Sequence, residues 1–335
     1  MTTFSIPEIQ LNSGYKMPVL GLGTATSASV KADDKKAVLQ AIERGYRHFD
    51  TASLYGSKEA LGEALWCSDA HADRVRPALQ NTLRNLKLEY LDLYLVHWPI
   101  STKPGTYEYP MKKEDVLPFD CKSVWTAMEE CHRLGLVKSI GVSNFTCKKI
   151  EDMLTFSRIP PAVNQVILLA LFSYICYYCA FMGISNYRIL TFFLTKFHGV
   201  SKVELNPCWQ QKKLINLCKP KGIVVTSFSP LGAVGTAWGS NRVMENEVLK
   251  QIAKAKGKSV PQVCLRWAYQ QGVAIVAKSY KPERMQENHD IFDWELSDEE
   301  CKKISEIPQS KGHKGPLVSE DGPIKSIEEL WDGEL

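Results

Sequence analysis

The chain has 335 residues, of which 44% are hydrophobic and 23% are charged. This composition excludes a wholly disordered chain, a collagen-like repeat and a coiled coil. The formal net charge of +4 comes from 41 basic and 37 acidic residues that are scattered along the chain. Because no basic cluster is present, we do not expect a nucleic acid partner.

The cysteine pattern indicates free thiols in a reducing compartment. Of the ten cysteines, eight are isolated along the sequence, and only Cys176 and Cys179 form a C-x-x-C pair, inside an apolar stretch without nearby histidines. We therefore expect neither a disulfide framework nor a metal site. The first residues lack the basic and apolar regions of a signal peptide, which favours a cytoplasmic protein.

The first half of the chain alternates between strand-like and helix-like segments. Residues 7–24 predict a hairpin with a Ser-Gly turn that leads into a buried strand at Leu20–Gly23. The segments that follow are predicted as a helix near Lys35–Arg44, a strand at Tyr46–Asp50, helices at Ser57–Leu65 and Asp73–Leu86, and a strand that ends at His97.

The second half continues this alternation after a long polar loop at Ile100–Pro118. The predicted elements are a helix at Lys122–Leu134, a strand at Ser139–Val142, a helix at Cys147–Thr155, and strands at Gly222–Thr226 and Val273–Ala277, each followed by a helical pattern. Alternation of this kind predicts an α/β protein with a parallel sheet, and we favour a closed (β/α)8 TIM barrel in a single domain over residues 1–335.

Two interruptions break the pattern. The helix that ends near Leu65 leads through Trp66 into the next helix without an intervening strand, so one strand of the barrel is missing near residues 65 and 66. Residues 167–202 form an apolar stretch without the turn residues that suit a barrel, and no charged residue occurs from Ile159 to Tyr187. The uncharged part, 167–187, has the length of a membrane span, so a membrane-tethered protein stays an alternative.

Three side chains at predicted strand ends could act together on a carbonyl group. Asp50 ends one strand, Tyr55 follows in the adjoining loop, and His97 ends another strand. Active sites of parallel barrels lie at these carboxyl ends, where a phenol and an imidazole can polarise a carbonyl oxygen. Each residue taken alone is also consistent with a structural role, such as a helix cap or a hydrogen-bonded histidine.

A second cluster resembles a phosphate site. Lys278 and Ser279 follow the strand VAIVA, and Arg284 and Asn288 lie on the next predicted helix. A helix start with a lysine, a hydroxyl and an arginine suits a dianionic phosphate, although a solvated helix start would look the same. The segment GLGTAT at 21–26 lacks the third glycine of a Rossmann fingerprint and indicates that fold only weakly.

Long segments of the chain resemble the aldo-keto reductases, especially the plant group around codeinone reductase and chalcone reductase. The matching segments are GYRHFDTASLYGSKEALGEAL, LKLEYLDLYLVHWPIS, LVKSIGVSNF, PPAVNQ with VELNPCWQQKKL, SFSPLGAVGTAWGS and VAKSYKPERMQEN. The resemblance implies a (β/α)8 barrel that binds NADP(H) without a Rossmann domain. It also implies an oxidoreductase of plant specialised metabolism that reduces an aldehyde or ketone by hydride transfer from the nicotinamide.

The resemblance also implies roles for individual residues. Tyr55 would protonate the carbonyl oxygen, His97 would orient it, and Asp50 would support the tyrosine through a lysine. Trp98 would line the pocket that binds the substrate, a small-molecule carbonyl compound. The implied cofactor-binding residues are Gly23, Thr24, Ser143, Asn144, Gln165, Phe228, Ser229, Leu231, Lys278, Ser279, Arg284, Glu287 and Asn288.

This sequence departs from the family pattern at its two interruptions. The lysine that the resemblance places in the missing strand, in a segment like ITSKLW, is absent, since Leu65 leads directly to Trp66. Removing residues 166–202 restores AVNQVELNP, which suggests a retained intron for the insertion and a skipped coding segment for the missing strand. We therefore expect impaired reductase activity in a monomeric protein, with a catalytically weak or inactive NADP-binding pseudo-enzyme as the alternative.

Overall fold

The structure, a computed structural model, describes residues 5–23, 31–50, 65–105, 113–165, 205–232, 240–310 and 325–334. In chain order, the strands are β1 (Glu8–Gln10), β2 (Lys16–Pro18), β3 (Leu20–Gly23), β4 (Phe49–Asp50), β5 (Leu91–Val96), β6 (Ser101–Thr102), β7 (Val116–Leu117), β8 (Val137–Ser143), β9 (Val163–Gln165), β10 (Val224–Phe228) and β11 (Ala274–Ala277).

The helices of these ranges lie between and after the strands. They are α1 (Lys31–Glu43), α2 (Ala72–Leu86), α3 (Cys121–Arg133), α4 (Cys147–Leu154), α5 (Lys212–Cys218), α6 (Glu247–Lys256), α7 (Val260–Gln270), α8 (Pro282–His289), α9 (Asp298–Ser305) and α10 (Ile327–Trp331).

Seven strands form one parallel sheet in the order β4-β3-β11-β10-β9-β8-β5. Six of the seven strands are buried along most of their length, the half-buried edge strand β4 being the exception, and residues such as Leu20, Ile140 and Ile275 are at most 1% exposed. Parallel sheets need cover on both faces, and buried strands of this kind carry continuous apolar runs. The architecture is therefore the α/β barrel that the sequence predicts, with seven of its strands in the described part.

A hairpin closes the amino end of the barrel. Strands β1 and β2 pair antiparallel, and Gly14 adopts a φ of +87° in the turn between them. The Asn12 side-chain amide donates a hydrogen bond of 2.9 Å to the Pro161 carbonyl, just before β9 begins. Leu11 and Met17 are buried against interior residues of the sheet. Since the hairpin fills this end, the opposite end, where the strands finish, is left for a site.

Polar residues define where several helices begin. Ser259 precedes α7 and forms a reciprocal capping box with Gln262, and Ser297 precedes α9 and does the same with Glu300. Asp120 accepts a hydrogen bond of 3.1 Å from the Ser123 backbone N–H at the start of α3. Such caps satisfy backbone N–H groups that have no partner within the helix.

Within the described residues, the predicted elements agree with the structure except at their ends and in one loop; the helix predicted at Ser57–Leu65 lies outside these residues apart from Leu65. The strand predicted at Tyr46–Asp50 begins only at Phe49, because the Tyr46 N–H closes the end of α1 by donating to the Ala41 carbonyl at 3.0 Å. The loop predicted at Ile100–Pro118 contains the short antiparallel pair of β6 and β7, with Ser101 opposite Leu117. A side chain in this pair, Ser101, is held by a 2.7 Å hydrogen bond to the Ala70 carbonyl.

The prediction that Leu65 ends a helix is wrong. Leu65 forms a parallel β-bridge with Val96, on the outer side of β5. Its N–H donates to the Leu95 carbonyl at 2.9 Å, and its carbonyl accepts from the His97 N–H at 3.1 Å. Pairing at this position buries the apolar Leu65 side chain, and it also gives hydrogen-bond partners to the backbone groups at the edge of β5. Among the described residues, Leu65 is the one that pairs with this edge of β5.

We predict that Tyr46→Phe lowers the free energy of unfolding by about 1 kcal/mol, the usual net value of a buried hydrogen bond. The Tyr46 hydroxyl donates a buried hydrogen bond of 3.0 Å to the Met285 carbonyl in α8. Urea denaturation measures the loss. Tyr15→Phe is the control, since Tyr15 is 46% exposed, and an equal loss in both variants would contradict the prediction.

Candidate active site at the carboxyl end of the barrel

The carboxyl ends of the strands bring the predicted residues to one rim. Asp50, Ser143, Gln165 and Phe228 are the last residues of β4, β8, β9 and β10, and His97 directly follows β5. All seven strands are parallel, so these five positions share one end of the barrel. The structure therefore places together five residues that the sequence distributes over about 180 positions.

A side-chain hydrogen bond crosses the mouth of the barrel. Gln165 Nε2 donates to Asp50 Oδ1 at 2.7 Å. Strands β9 and β4 are four places apart in the sheet, which in a flat sheet would separate them by about 19 Å. The sheet must therefore curl for this bond to form. The bond also fixes the Asp50 carboxylate, which the sequence analysis assigns to the site.

Asn144 connects the strands on the other side of the rim. Its Nδ2 donates to the His97 carbonyl at 2.5 Å, and its backbone N–H donates to the Gln165 carbonyl at 3.0 Å. Its φ of +67° lies in the left-handed region, which asparagine tolerates better than most residues. The buried Oδ1 atom of Asn144 has no hydrogen-bond partner among the described residues. The segment at this rim therefore carries a buried acceptor that the described residues leave unsatisfied.

The neighbouring Ser143 completes this set of contacts. Its hydroxyl donates a short hydrogen bond to the Gln165 carbonyl, and Asn164 Nδ2 donates to the Phe145 carbonyl at 2.9 Å. These bonds join the ends of β8 and β9 beyond their backbone ladder. The segment 143–145 is thus fixed by side-chain hydrogen bonds on both sides.

His97 is held through its backbone and its ring. The side chain is 1% exposed, and the Trp66 indole packs edge-on to the imidazole with ring centroids 5.3 Å apart. The His97 N–H is bound by Leu65 and its carbonyl by Asn144. The N–H and the carbonyl of His97 are therefore held by two different segments of the chain, one at Leu65 and one at Asn144.

The predicted phosphate-binding residues lie at the start of α8. Lys278 and Arg284 are exposed, whereas Ser279 is buried and its Oγ accepts from the Lys281 N–H at 3.2 Å. No side chain caps the first turn of α8, and Pro282 stands within it. Two cations therefore flank a helix start whose N–H groups can receive an anion.

The two residues predicted near the adenine differ in their contacts. The Glu287 carboxylate accepts a short hydrogen bond from the Ser259 hydroxyl at the start of α7, and Asn288 is buried in α8. Glu287 thus also joins two helices. This second contact depends on the approach of α7 to α8, which no local sequence pattern predicts.

The remaining predicted residues lie around the same rim. Phe228 is buried at the end of β10, Ser229 follows with a φ of +49°, and Leu231 is half-buried. Gly23 ends β3 and pairs with Asp50 in the ladder between β3 and β4. Thr24 and Tyr55 lie outside the described residues, so the structure does not describe the predicted proton donor.

Trp98 is covered by the carboxyl-terminal segment. Its side chain is buried, and its ring lies edge-on to the ring of Trp331 in α10, with centroids 6.5 Å apart. On sequence alone, Trp331 is one of two further tryptophans, with Trp238, that could lie at the rim of the predicted substrate pocket. The packing of Trp66 on His97 has only a weak signal in the sequence, a large apolar residue directly after the interruption at Leu65.

The described ranges show neither a metal centre nor a membrane span. They contain no group of three or more His, Cys, Asp or Glu side chains arranged for a metal ion. None of the helices in these ranges has the length and apolar character needed to cross a bilayer. The insertion at 167–202, including the apolar stretch 167–187 and the pair Cys176 and Cys179, lies outside them.

We predict that Asn144→Gly destabilises the protein less than Asn144→Ala, by about 1 kcal/mol. Both variants lose the hydrogen bond to His97, but only alanine must adopt the left-handed φ at a steric cost. Thermal denaturation of the two variants side by side measures the difference. Equal destabilisation would show that the backbone conformation at this position carries no strain.

Comparison with known proteins agrees with this architecture. The aldo/keto reductase family model matches residues 19–66, 64–175 and 199–309. The first two matches overlap at residues 64–66, at the missing strand, and residues 176–198 of the insertion are left unmatched. The family pattern is thus interrupted at both places where the sequence departs from a regular barrel.

Plant reductases are similar over nearly the whole chain. Deoxymugineic acid synthase 1-A of Triticum aestivum is 49% identical, and the match covers 95% of this chain and 97% of that protein. The (1S)-1,7-diacetoxy-luvungin A aldo-keto reductase of Citrus sinensis is 50% identical, and the match covers 99% of each chain. The 7-acetyl-epi-neemfruitin B aldo-keto reductase of Melia azedarach is 49% identical, again with 99% of each chain covered.

The family match covers more than half of the chain, and the relatives match it nearly end to end. The chain belongs to the aldo/keto reductase family, whose members are NAD(P)H-dependent oxidoreductases that reduce carbonyl groups.

Proposed function

We propose that this chain binds NADPH in preference to NADH and reduces the carbonyl group of a small plant metabolite, with a rate limited by the missing strand. The connected hydrogen bonds of Asp50, Gln165, Asn144 and His97 at one rim carry this proposal. The relatives named above are plant proteins whose names refer to deoxymugineic acid and to luvungin and neemfruitin compounds, which supports the substrate class.

The residues at the rim fit a nicotinamide. The Asn144 Oδ1 atom is a buried acceptor without a partner among the described residues, and a carboxamide NH2 group would satisfy it. Phe228 ends β10, two strands from β8 in the same sheet, and its ring is proposed to stack on the nicotinamide. When bound, the reduced nicotinamide supplies the hydride for the carbonyl carbon.

The chain's own residues would handle the proton and the oxygen. We propose Tyr55 as the proton donor to the carbonyl oxygen, and the His97 ring as the group that orients this oxygen. The anchored backbone of His97 and the packing of Trp66 against the imidazole limit the movement of this ring. Asp50, fixed by Gln165, contributes a negative charge to the same rim.

The cations at α8 support the preference for NADPH. Lys278, Ser279 and Arg284 surround the uncapped start of α8, and a 2′-phosphate carries the double negative charge that such a corner binds best. Ser229 and Leu231, with Gly23 and Thr24, are proposed for the rest of the nucleotide, and Glu287 and Asn288 for the adenine.

An NADP-binding protein with little or no turnover is the second candidate. At the edge of β5, Leu65 supplies backbone partners but only an apolar side chain. A tyrosine without a nearby cation keeps a pKa near 10, which makes it a weak acid at neutral pH.

We further propose that the protein is a cytoplasmic monomer. The eight cysteines of the described ranges are all free, which is consistent with a reducing compartment.

We predict that Arg284→Ala weakens NADPH binding by about 10-fold to 100-fold and leaves NADH binding unchanged, since a charge-assisted contact to phosphate contributes roughly 1.5–3 kcal/mol. Titration with quenching of tryptophan fluorescence measures both affinities. Lys302→Ala is the control because Lys302 is an exposed cation in α9, on a different helix. An equal loss for both nucleotides would contradict the assignment of Arg284.

We predict that restoring the missing strand raises the rate of NADPH oxidation with a ketone by about 10²-fold to 10⁴-fold, the usual effect of a tuned proton donor. The restored segment ends in Ile-Thr-Ser-Lys before Leu65. A matched control carries methionine in place of the inserted lysine, which restores the strand without the charge. Equal rates for the two insertions would show that the lysine is not what the present chain lacks.

The same pair of insertions separates the two candidate functions. A reductase with impaired activity shows measurable turnover before repair and a gain that depends on the lysine. A nucleotide-binding protein without turnover binds NADPH in the titration but oxidises none of it.

A further inference from the structure

The last described residues lie on the first turn of α4. Both carboxylate oxygens of Glu334 accept hydrogen bonds from the Cys147 backbone N–H, at 2.8 and 3.1 Å. Cys147 is the first residue of α4, so the carboxylate occupies the positive end of this helix. The chain thus supplies from its own carboxyl end the anion that this helix start attracts.

Lys149 binds the same segment at two further points. Its Nζ atom donates to Asp332 Oδ2 at 2.6 Å and to the Leu330 carbonyl at 2.9 Å. Asp332 also accepts a short hydrogen bond from the hydroxyl of Thr146, the residue that caps α4. We call residues 330–334, held in this way, the C-terminal latch.

The ion pair of the latch is better shielded from water than its neighbour on the same helix. The side chains of Lys149 and Asp332 are 23% and 18% exposed. The side chains of Lys148, the residue before Lys149, and of its partner Asp152 are 64% and 61% exposed. Exposed pairs contribute little because water and salt screen them, whereas partly buried pairs are screened less. The chain therefore contains its own matched control for the latch.

The latch joins two parts of the rim. On one side it holds Trp331 edge-on to Trp98. On the other side, α4 begins three residues after Asn144, whose side chain binds the His97 carbonyl. A force on the first turn of α4 therefore acts on the short segment 143–146, which is fixed at Asn144 and capped at Thr146.

We propose that Lys149 is a positioning residue that acts through the C-terminal latch, holding Trp331 over Trp98 and coupling the docking of residues 330–334 to the segment 143–146. The coupling to nucleotide rests on the proposed function, which assigns Asn144 to the nicotinamide. The docking itself does not depend on that assignment.

Cys147 reports on the latch directly. It is half-buried beneath Glu334, and burial, followed by the negative charge of Glu334, raises the pKa of its thiol to about 12. Alkylation requires the thiolate, so the docked latch makes this thiol slow to react. Release of the latch removes both the cover and the charge and must accelerate the reaction.

The first experiment measures alkylation of Cys147 by N-ethylmaleimide in the nucleotide-free protein, with mass spectrometry of the peptides. We expect Lys149→Met and Asp332→Asn each to accelerate the reaction at least 10-fold. The double variant should react no faster than the faster single variant, since both changes release one latch. Lys148→Met should match the unchanged protein, and Cys301 in α9 serves as the internal reference. Unchanged Cys147 rates in both single variants, with Cys301 also unchanged, would overturn the proposal.

The second experiment measures hydrogen exchange of the peptide 325–335 with and without saturating NADPH. We expect NADPH to slow exchange of this peptide at least 3-fold in the unchanged protein and in Lys148→Met, but not in Lys149→Met. Bound NADPH without any effect on the peptide would overturn the coupling. Failure of NADPH to bind in the titration would instead refute the proposed function, and the alkylation result would still decide whether the latch exists.

Discussion

The hydrogen bond between Gln165 and Asp50 depends on the curvature of the whole sheet. Its two ends belong to strands that are four places apart, so it forms only when β3, β11 and β10 turn the sheet through part of a barrel. In return, it fixes a carboxylate at the end of β4, which has only two residues in the ladder. A hydrogen bond to a charged group contributes about 1.5–3 kcal/mol, which is substantial for such a short strand.

The loss of a strand affects the backbone and the chemistry differently. The backbone requirement at the edge of β5 is modest, since one residue can exchange two hydrogen bonds with it, as Leu65 does. The same residue aligns His97 by accepting from its N–H. A side chain with a particular charge is a separate requirement, and a buried leucine cannot meet it. Under the proposed function, the edge of β5 can therefore keep its backbone hydrogen bonds while lacking the cation that would make the proton donor a stronger acid.

The fold was predictable from the sequence because its signals are local. The apolar runs at Leu20–Gly23 and Leu91–Val96 fix buried strands, and Ser259 and Ser297 mark helix starts. The boundary error at Tyr46 arose because one N–H can serve a helix end or a strand, and only the surrounding packing decides. The strand-end residues of the site were predictable for a related reason, since parallel strands finish at one edge.

Contacts between distant segments were not predictable in this way. The sequence shows a half-apolar tail at residues 330–334 but does not show that Lys149, rather than Lys148, will hold it. The difference is one of direction, since consecutive residues on a helix point about 100° apart and only one of the two faces the tail. The local i,i+4 rule accounts for the pair of Lys148 with Asp152, whereas no local rule gives Lys149 its partner near the end of the chain.

The segment 143–149 shows how few residues can serve several purposes at such a rim. Ser143 and Asn144 join β8 to β9 and hold His97, Thr146 caps α4, and Lys149 receives the tail. These contacts share a backbone of seven residues, so a change at one of them alters the position of the others. The left-handed conformation of Asn144 is what allows the chain to turn from the strand into the helix within this length. A residue that could not adopt this conformation would move the start of α4 away from the end of β8. The contact of residue 144 with the His97 carbonyl and the contact of Lys149 with Asp332 could then no longer form together.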